Sequence, residues 1–450
     1  METALKRSLG MRAFSVVWLG QLVSMLGTGM TSFALSVWAW QETGSATAMS
    51  LLLFFAIGPA IVLGPVAGVL VDRGSRKGLI VLADVGAALS TAAVLLLYTT
   101  SHLQVWHLYA ANLLAGVCHA FQGPAFSASI TVMVPKEQYS RANGMTTLVH
   151  YIPEVVAPLS AAFLVRVVGT GRIMAIDLLT FAFAVTMTLL VSIPQPETSA
   201  EGRAARDSLW SESVYGFDYI LKRPGLFGLQ LVFLAVNFAG VFQWALQSPM
   251  ILARTGQDSR ALGTVLSAAG FGSVIGGLVM SAWGGPKRRI HGVLGGMTLE
   301  CLLGITLMGL GRTLPVWALA GFLTMLFVPV INSSNQAIWQ AKVAPDVQGK
   351  VFAARRVIAQ CSYLVGFVTA GPLADRLFEP GMQPGGVLSK MFGGWAGAGP
   401  GVGTATLMAI WGLIGVCACL VGYLFPVVRD VEATIPDYDS ALALATSQPA

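Results

Sequence analysis

Glu154 and His150 are the residues whose types and spacing most directly allow chemistry. They lie four positions apart, which is one turn of a helix, inside an apolar stretch of the chain. A carboxyl group in apolar surroundings is costly to ionise, so it can take up and release a proton near neutral pH. Coupling to a proton gradient requires this chemistry, and a histidine adds a second titratable group. The alternative role for Glu154 is structural, as a group that stabilises a kink near Pro153 and Pro158.

Three other carboxyl groups interrupt apolar stretches, and ionisable residues at such places are rare and usually functional. Asp84 and Asp177 lie near the predicted ends of their stretches, which predicts interfacial structural roles. Glu300 lies deeper in its stretch.

Enzymatic and metal-binding motifs are absent from the sequence. It has no G-x-x-x-x-G-K-S/T loop, no H-E-x-x-H and no G-x-S-x-G pattern. No pair among the five cysteines has zinc-site spacing. We therefore expect no enzyme activity, no metal, no cofactor and no ATP-driven transport.

The elements that must hold these groups are long apolar helices. Of the 450 residues, 55% are hydrophobic and only 11% are charged, whereas soluble domains carry roughly 25% charged residues. A bilayer-spanning helix needs about 20 apolar residues. The sequence predicts an all-α membrane protein with twelve transmembrane helices in two pseudo-symmetric six-helix bundles. The predicted spans are 14–40, 49–71, 78–98, 105–128, 144–167, 173–193, 226–252, 261–283, 292–311, 315–337, 352–373 and 403–428.

The polar intervals divide the chain into four parts. Residues 1–194 form the predicted N-terminal bundle, and residues 226–428 form the C-terminal bundle. The interval 195–225 is polar, but its apolar positions recur at helical spacing over 209–221, which predicts an amphipathic helix on the membrane surface. Residues 429–450 form a polar tail, which we expect to be disordered.

Basic residues indicate the orientation of the spans. Of the 27 Lys and Arg residues, 20 fall on one predicted side and seven on the other. Because basic residues concentrate in cytoplasmic loops, both termini are expected in the cytoplasm. The net charge of +6 is thereby explained by the membrane, and no nucleic acid is expected as a partner.

The loop between the second and third spans carries the most specific motif. It reads Gly68-Val-Leu-Val-Asp72-Arg73-Gly-Ser-Arg76-Lys77. The glycine allows close helix packing, and the basic side chains suit an anionic membrane surface. The pattern resembles the G-x-x-x-D-R-x-x-R-R/K motif of the major facilitator superfamily. That resemblance implies a conformational latch, in which Asp72 meets the start of the eleventh span.

Further patterns resemble the macrolide-efflux branch of the drug:proton antiporters. They are Gly20-Gln21-Leu22-Val23-Ser24, Thr43-Gly44-Ser45-Ala46, Asp84, Val134-Pro135-Lys136-Glu137 and Asp177-Leu-Leu-Thr180-Phe181. His119-Ala-Phe-Gln122-Gly123 resembles the family's R-x-x-Q-G pattern with histidine in place of arginine. His119 is therefore a further candidate for proton coupling. The resemblance also implies a peripheral ninth span, which reduces the case for Glu300.

In this family the first, fourth, seventh and tenth spans line the substrate cavity. The polar and aromatic residues of those spans are therefore candidates for the cavity wall, although they could equally form hydrogen bonds between helices. These residues are Gln21, Asn112, Asn237, Gln243, Trp244, Gln247, Asn332, Asn335, Gln336 and Trp339.

The resemblance implies proton-coupled export of amphiphilic small molecules from a bacterium, with a monomer in the plasma (inner) membrane and a link to antibiotic resistance. Export of an endogenous siderophore, peptide or lysophospholipid is an alternative within the same fold. A membrane sensor or scaffold that transports nothing is an alternative of another class.

Overall fold

The computed structural model describes residues 2–135, 138–193, 216–343, 347–397 and 399–435, and these residues contain helices and no strand. The chain divides into two compact units. The first comprises Met1–Glu197 with Ile251–Ser267, and the second comprises Thr198–Met250 with Ala268–Ala450.

The first six long helices belong to the first unit. They are α1 (Glu2–Thr43), α2 (Ala46–Arg73), α3 (Arg76–Thr99), α4 (Val105–Met133), α5 (Tyr139–Val167) and α6 (Thr170–Leu190). Serine caps two of the tight connections, because a serine hydroxyl satisfies a backbone N–H at a helix start. The Ser45 hydroxyl accepts from Ala48 N at the start of α2, and that of Ser75 accepts from Gly78 N at the start of α3. Phe14 is fully buried in the core of this unit.

The remaining long helices are α7 (Pro224–Arg254), α8 (Ser259–Trp283), α9 (Arg289–Leu310), α10 (Leu314–Lys342), α11 (Gln348–Leu373) and α12 (Val402–Leu424). Within α9 the backbone widens to a π-helix over Glu300–Thr306. A similar segment, Ala374–Phe378, extends α11, and a short helix, Val387–Ala396, precedes α12. The fully buried Trp339 lies in the core of the second unit.

The predicted all-α membrane fold with twelve spans is confirmed in the described residues. Eleven of the helices are long and apolar enough to cross a membrane. The twelfth, α4, is 29 residues long, and it is less apolar because polar side chains interrupt it. These side chains are His107, Asn112, His119 and Gln122.

The polar segments are described in part. Residues 194–215, which hold much of the predicted amphipathic helix, lie outside the described part, and the helical end of the interval packs against the core of the second unit. Ile220 is fully buried there, and the Tyr219 hydroxyl donates to the Lys342 carbonyl at 3.3 Å. The tail is also ordered further than expected, because Pro426–Arg429 and Val431–Thr434 are helical. Burial of Val431 in the second core accounts for this.

Candidate functional site

Asp84 lies at the centre of a buried polar cluster in the first unit. Its side chain, on α3, is 0% exposed. Gln21 on α1 donates from Nε2 to Asp84 Oδ2 at 2.9 Å, and Gln122 on α4 donates to Asp84 Oδ1. Close packing of α3 on α4 makes this possible, since a Cβ at Gly86 would collide with Cys118 Sγ. Side chains from α1 and α4 therefore converge on one carboxyl group of α3. We call Gln21, Asp84, Gln122 and His119 the Asp84 cluster.

Every hydrogen bond in the Asp84 cluster has a consistent direction. Gln122 Nε2 also donates to Gln21 Oε1 at 2.9 Å, and His119 Nδ1 lies 2.8 Å from Gln122 Oε1. Because an amide oxygen can only accept, His119 must carry a proton on Nδ1. Asp84 accepts in both of its bonds, as an ionised carboxylate does. The cluster thus joins two titratable groups through one glutamine.

Asp177 on α6 is the second carboxyl group with 0% exposure in the first unit. Hydroxyl groups from three helices surround it. Thr28 Oγ1 lies 3.3 Å from Oδ1, Thr91 Oγ1 lies 3.4 Å from Oδ2, and Thr180 Oγ1 lies 3.5 Å from Oδ1. Thr31 also faces this carboxyl group. We call these five residues the Asp177 cage.

The two acidic centres have the same spacing along two helices. On α1, Gln21 hydrogen-bonds to Asp84, and Thr28, seven residues later, hydrogen-bonds to Asp177. On α3, Asp84 itself and Thr91 have the same separation of seven residues. Seven residues are about two helical turns, or about 10 Å of rise. The cluster and the cage therefore lie one above the other along α1 and α3.

Asp84 and Asp177, for which interfacial structural roles were expected, are both fully enclosed by protein; their depth in a membrane stays a prediction. Sequence reasoning singled out the two aspartates without their partners. The sequence contains part of the information needed to find these partners. Thr28 and Thr31 follow Gln21 at helical spacing, and Thr180 lies one turn after Asp177.

The structure places Glu154 differently from the sequence expectation of a buried carboxyl group. Its side chain on α5 is exposed, and it has no hydrogen bond or ion pair with any side chain that the structure describes. The side chain of His150 lies outside the described residues. The kink role has no support from a hydrogen bond, and His119, the third coupling candidate, belongs to the Asp84 cluster.

Part of the loop motif is described, and it connects helices. Arg76 donates from Nη1 to the Ala128 carbonyl of α4 at 2.8 Å, and Lys77 donates to the Leu189 carbonyl of α6 at 2.8 Å. Both cations thus satisfy carbonyls near helix C-termini, where positive charge is favourable. Arg76 is buried, so its role is not to contact the membrane surface. The side chains of Gly68, Asp72 and Arg73 lie outside the described residues.

Several candidates for the cavity wall form hydrogen bonds between helices or within one helix. Asn112 donates to the Leu52 carbonyl at 3.1 Å, and Gln243 donates to Thr324 Oγ1 at 3.1 Å. Asn335 accepts from Trp339 Nε1 at 3.0 Å. Trp339 was expected on a cavity wall, but it is 0% exposed and belongs to the core. The remaining candidates keep some exposure: Asn237, Gln247 and Gln336 are half-buried, and Asn332 and Trp244 are exposed.

Glu300 begins the π-helical segment of α9 and is half-buried. Among the described residues it has no hydrogen-bond or ion-pair partner. A widened helical turn of this kind often accompanies functional positions.

The intramembrane carboxyl groups share one chemical property. No basic side chain forms an ion pair with Asp84, Glu154, Asp177 or Glu300 anywhere in the described residues. An unpaired carboxylate inside a membrane is costly, by about 2.5–3.5 kcal/mol on insertion scales. Protonation of the carboxyl group removes this cost.

The chain is similar to known proteins over most of its length. The Major Facilitator Superfamily model matches residues 17–367. Macrolide efflux protein A of Streptococcus pyogenes is 27% identical over 375 residues, which cover 81% of this chain and 90% of that protein. Multidrug efflux pump Tap of Mycolicibacterium fortuitum is 25% identical over 79% of this chain and 87% of its own.

A solved structure supports the same fold. A bacterial homolog of the human lysosomal transporter Spinster, in its inward-facing and unoccupied conformation, has a TM-score of 0.62 and 14% identity, covering 97% of this chain and 99% of that chain.

Proposed function

Because the chain belongs to the major facilitator superfamily, we propose that it is a secondary active transporter that exports amphiphilic drugs, macrolides among them, in exchange for protons. The similarity to Macrolide efflux protein A over 81% of the chain supports this cargo. The similarity to Multidrug efflux pump Tap supports export of drugs more generally. The proposal makes the protein a transporter with no enzyme activity.

The observation that carries the proton coupling is the set of intramembrane carboxyl groups without basic partners. A transporter driven by protons must hold a proton inside the membrane in one state and release it in another. Glu154 is exposed, so its carboxyl group is not enclosed by the protein. We assign the exchangeable proton to Glu154, with His150 one turn away as its neighbour.

The Asp84 cluster supports the same function from within the first unit. His119 is titratable, and hydrogen bonds through Gln122 connect it to Asp84. We propose that its charge state influences how α4 packs against α1 and α3. In our proposal, the Asp72 loop acts as the latch that favours one conformation of the transport cycle.

The proposal includes a location and an orientation. The protein is a multi-pass membrane protein, and its similarity to proteins of bacteria supports a location in the plasma membrane. The excess of basic residues on one predicted side puts both termini in the cytoplasm. We propose that the monomer is the transporting unit, with a substrate cavity lined in part by Trp244 and Asn332.

Transport by purified protein in liposomes tests the function. With an imposed pH gradient, wild type should concentrate a macrolide against its gradient. Glu154→Gln, which mimics the protonated form, should keep downhill exchange but lose concentration of cargo. Glu154→Asp should keep partial activity with a displaced pH optimum. Glu42→Gln, an exposed carboxyl group at the end of α1, is the matched control.

Two outcomes would contradict the proposal. If wild type moves none of a panel of amphiphilic drugs, drug export is wrong. If Glu154→Gln concentrates cargo with the normal pH dependence, Glu154 does not carry the proton, and Asp84, His119 or Glu300 becomes the carrier to test.

A further inference from the structure

An open groove lies between the end of α3 and the start of α6, and the proposed transport mechanism does not use it. Its volume is about 740 Å³, within the range of about 300–1,000 Å³ that is usual for small-molecule sites. Val94 and Met174 are buried in one core cluster of these helices. The groove lies at the ends of the spans Arg76–Thr99 and Thr170–Leu190, where a bilayer meets water.

The walls of this groove are apolar. Small and aliphatic side chains form most of them, namely Ala92, Leu95, Leu96, Ala175 and Leu178, and we call the groove they line the α3–α6 groove. Leu96 and Ala175 are exposed. An exposed apolar surface at the end of a membrane span faces lipid chains, so a hydrocarbon chain is the chemistry that suits these walls.

The polar groups of the α3–α6 groove attract negative charge. Arg172 lines the groove with an exposed side chain, and it has no ion-pair or hydrogen-bond partner among the described residues. The N-cap residue of α6 is Gly169, so no side chain caps the first turn and its first N–H groups stay available. None of the described residues that line the groove is Asp or Glu. An anionic group therefore complements this end of the groove.

The carbonyl oxygens on the α3 side already accept hydrogen bonds from the protein. The Thr99 hydroxyl donates to the Leu95 carbonyl at 3.0 Å, and the Thr100 hydroxyl donates to the Leu96 carbonyl at 2.8 Å. The groove thus offers donors from α6 but few free acceptors from α3. This balance favours an anion over a cation as the polar part of a ligand.

A second open groove, of about 560 Å³, lies beside the first and shares Leu96 with it. Trp106, which is exposed, and His107 line this second groove. Tryptophan is enriched at the level of lipid headgroups. The exposed Leu96 side chain therefore separates two neighbouring grooves, an arrangement that suits a lipid with two hydrocarbon chains.

From this geometry we propose that the α3–α6 groove binds an anionic phospholipid. Its headgroup lies at Arg172 and the first turn of α6, and one acyl chain lies along Leu95 and Leu178. The groove belongs to α3 and α6, whereas the first, fourth, seventh and tenth spans are expected to line the cargo cavity. The inference therefore holds whether or not the protein exports drugs.

Native mass spectrometry of the full chain in detergent, titrated with phosphatidylglycerol or phosphatidylcholine, tests this inference. Wild type should bind phosphatidylglycerol about fivefold more tightly, because the choline cation of the other lipid opposes Arg172. Arg172→Gln should remove this preference, and Arg172→Lys should keep it. Ala175→Trp, which fills the groove, should weaken the binding of both lipids.

A phosphatidylglycerol with a photoreactive acyl chain locates the site. After illumination, peptides that contain Leu95 or Leu178 should carry the label, and Ala175→Trp should reduce it. Arg260→Gln is the matched control, because Arg260 is an exposed arginine at the start of α8, away from the residues that line the groove. It should behave as wild type.

Three outcomes would contradict the inference. Arg172→Gln could keep the wild-type preference for phosphatidylglycerol, which would show that Arg172 does not hold the headgroup. The photoreactive lipid could label neither α3 nor α6, which would place the lipid elsewhere. Equal losses of preference in Arg172→Gln and Arg260→Gln would assign the preference to the overall charge of the protein and not to this groove.

Discussion

Lys342, the last residue of α10, donates from Nζ to the backbone carbonyl of Glu432 at 2.6 Å and also to the carbonyl of Ile435. The Glu432 carboxylate in turn accepts from the Ile290 backbone N–H at the start of α9 at 2.9 Å. Negative charge at a helix N-terminus is stabilising. The segment after α12 therefore fastens the ends of α9 and α10 within the second unit.

Replacing Lys342 should destabilise the protein. Lys342→Met leaves two carbonyls without their donor in a place where the side chain is only 7% exposed. We expect a loss of about 2 kcal/mol in the free energy of unfolding, measured by denaturation in detergent. The control is Lys222→Met, whose side chain is exposed and pairs only with Asp218, and it should be nearly neutral. Equal stabilities of the two variants would show that the fastening contributes nothing.

The stabilising contribution of Asp430, in the same segment, should not change in mild acid. Hydrogen bonds from Arg429 and Arg288 hold the pKa of Asp430 below its usual value of 3.8. A lowered pKa gives a stabilising contribution that is present above pH 3.8 and is lost as the pH falls through the lower, folded value. The difference in unfolding temperature between wild type and Asp430→Asn should be constant from neutral pH to about pH 5 and should shrink below it. If the difference in unfolding temperature changes between pH 6 and 8, the pH dependence belongs to another group and not to Asp430.

Asp84→Asn should uncouple drug transport from the pH gradient without unfolding the first unit. Asparagine keeps the size of the side chain but offers one acceptor oxygen where Gln21 and Gln122 both donate. We expect pH-driven accumulation of drug in liposomes to fall about tenfold or more, with downhill exchange retained. Asp258→Asn is the control, since this exposed carboxylate pairs with Arg166. If Asp84→Asn accumulates drug normally, the cluster is purely structural.

Asp72→Asn should slow transport while the protein remains inserted and abundant. The lost interaction belongs to one conformational state, so the equilibrium between states changes and the fold does not. Transport rates in liposomes at matched protein amounts measure this, with Asp218→Asn as a control on an exposed, paired aspartate. Wild-type rates in Asp72→Asn would remove the latch from the mechanism.

Cysteine labelling decides the orientation. In a cysteine-free background, Lys390→Cys should react with an impermeant reagent in intact cells, whereas Trp210→Cys should react only after permeabilisation. The distribution of basic residues gives this expectation. The reverse pattern would place the termini outside.

Apolar runs were sufficient to predict the helices, because a span needs little more than length and low polarity. The Asp84 cluster was harder to foresee, since it combines α1, α3 and α4 through side chains far apart in sequence. Hydropathy shows that Asp84 and Asp177 lie near the ends of apolar runs, but it does not show that neighbouring helices enclose both side chains completely. It also does not show which way an aromatic residue faces. Trp339 lies on a span predicted to line the cavity, but its side chain faces the core.

The matched seven-residue spacing on α1 and α3 has a mechanical consequence. A slip of either helix by one turn would separate Gln21 from Asp84 and Thr28 or Thr91 from Asp177 in the same movement. Each buried polar group left without its partner costs about 1–3 kcal/mol, so the penalties add at two levels of the membrane. Polar contacts at two heights along the helices thus set the register of α1 against α3.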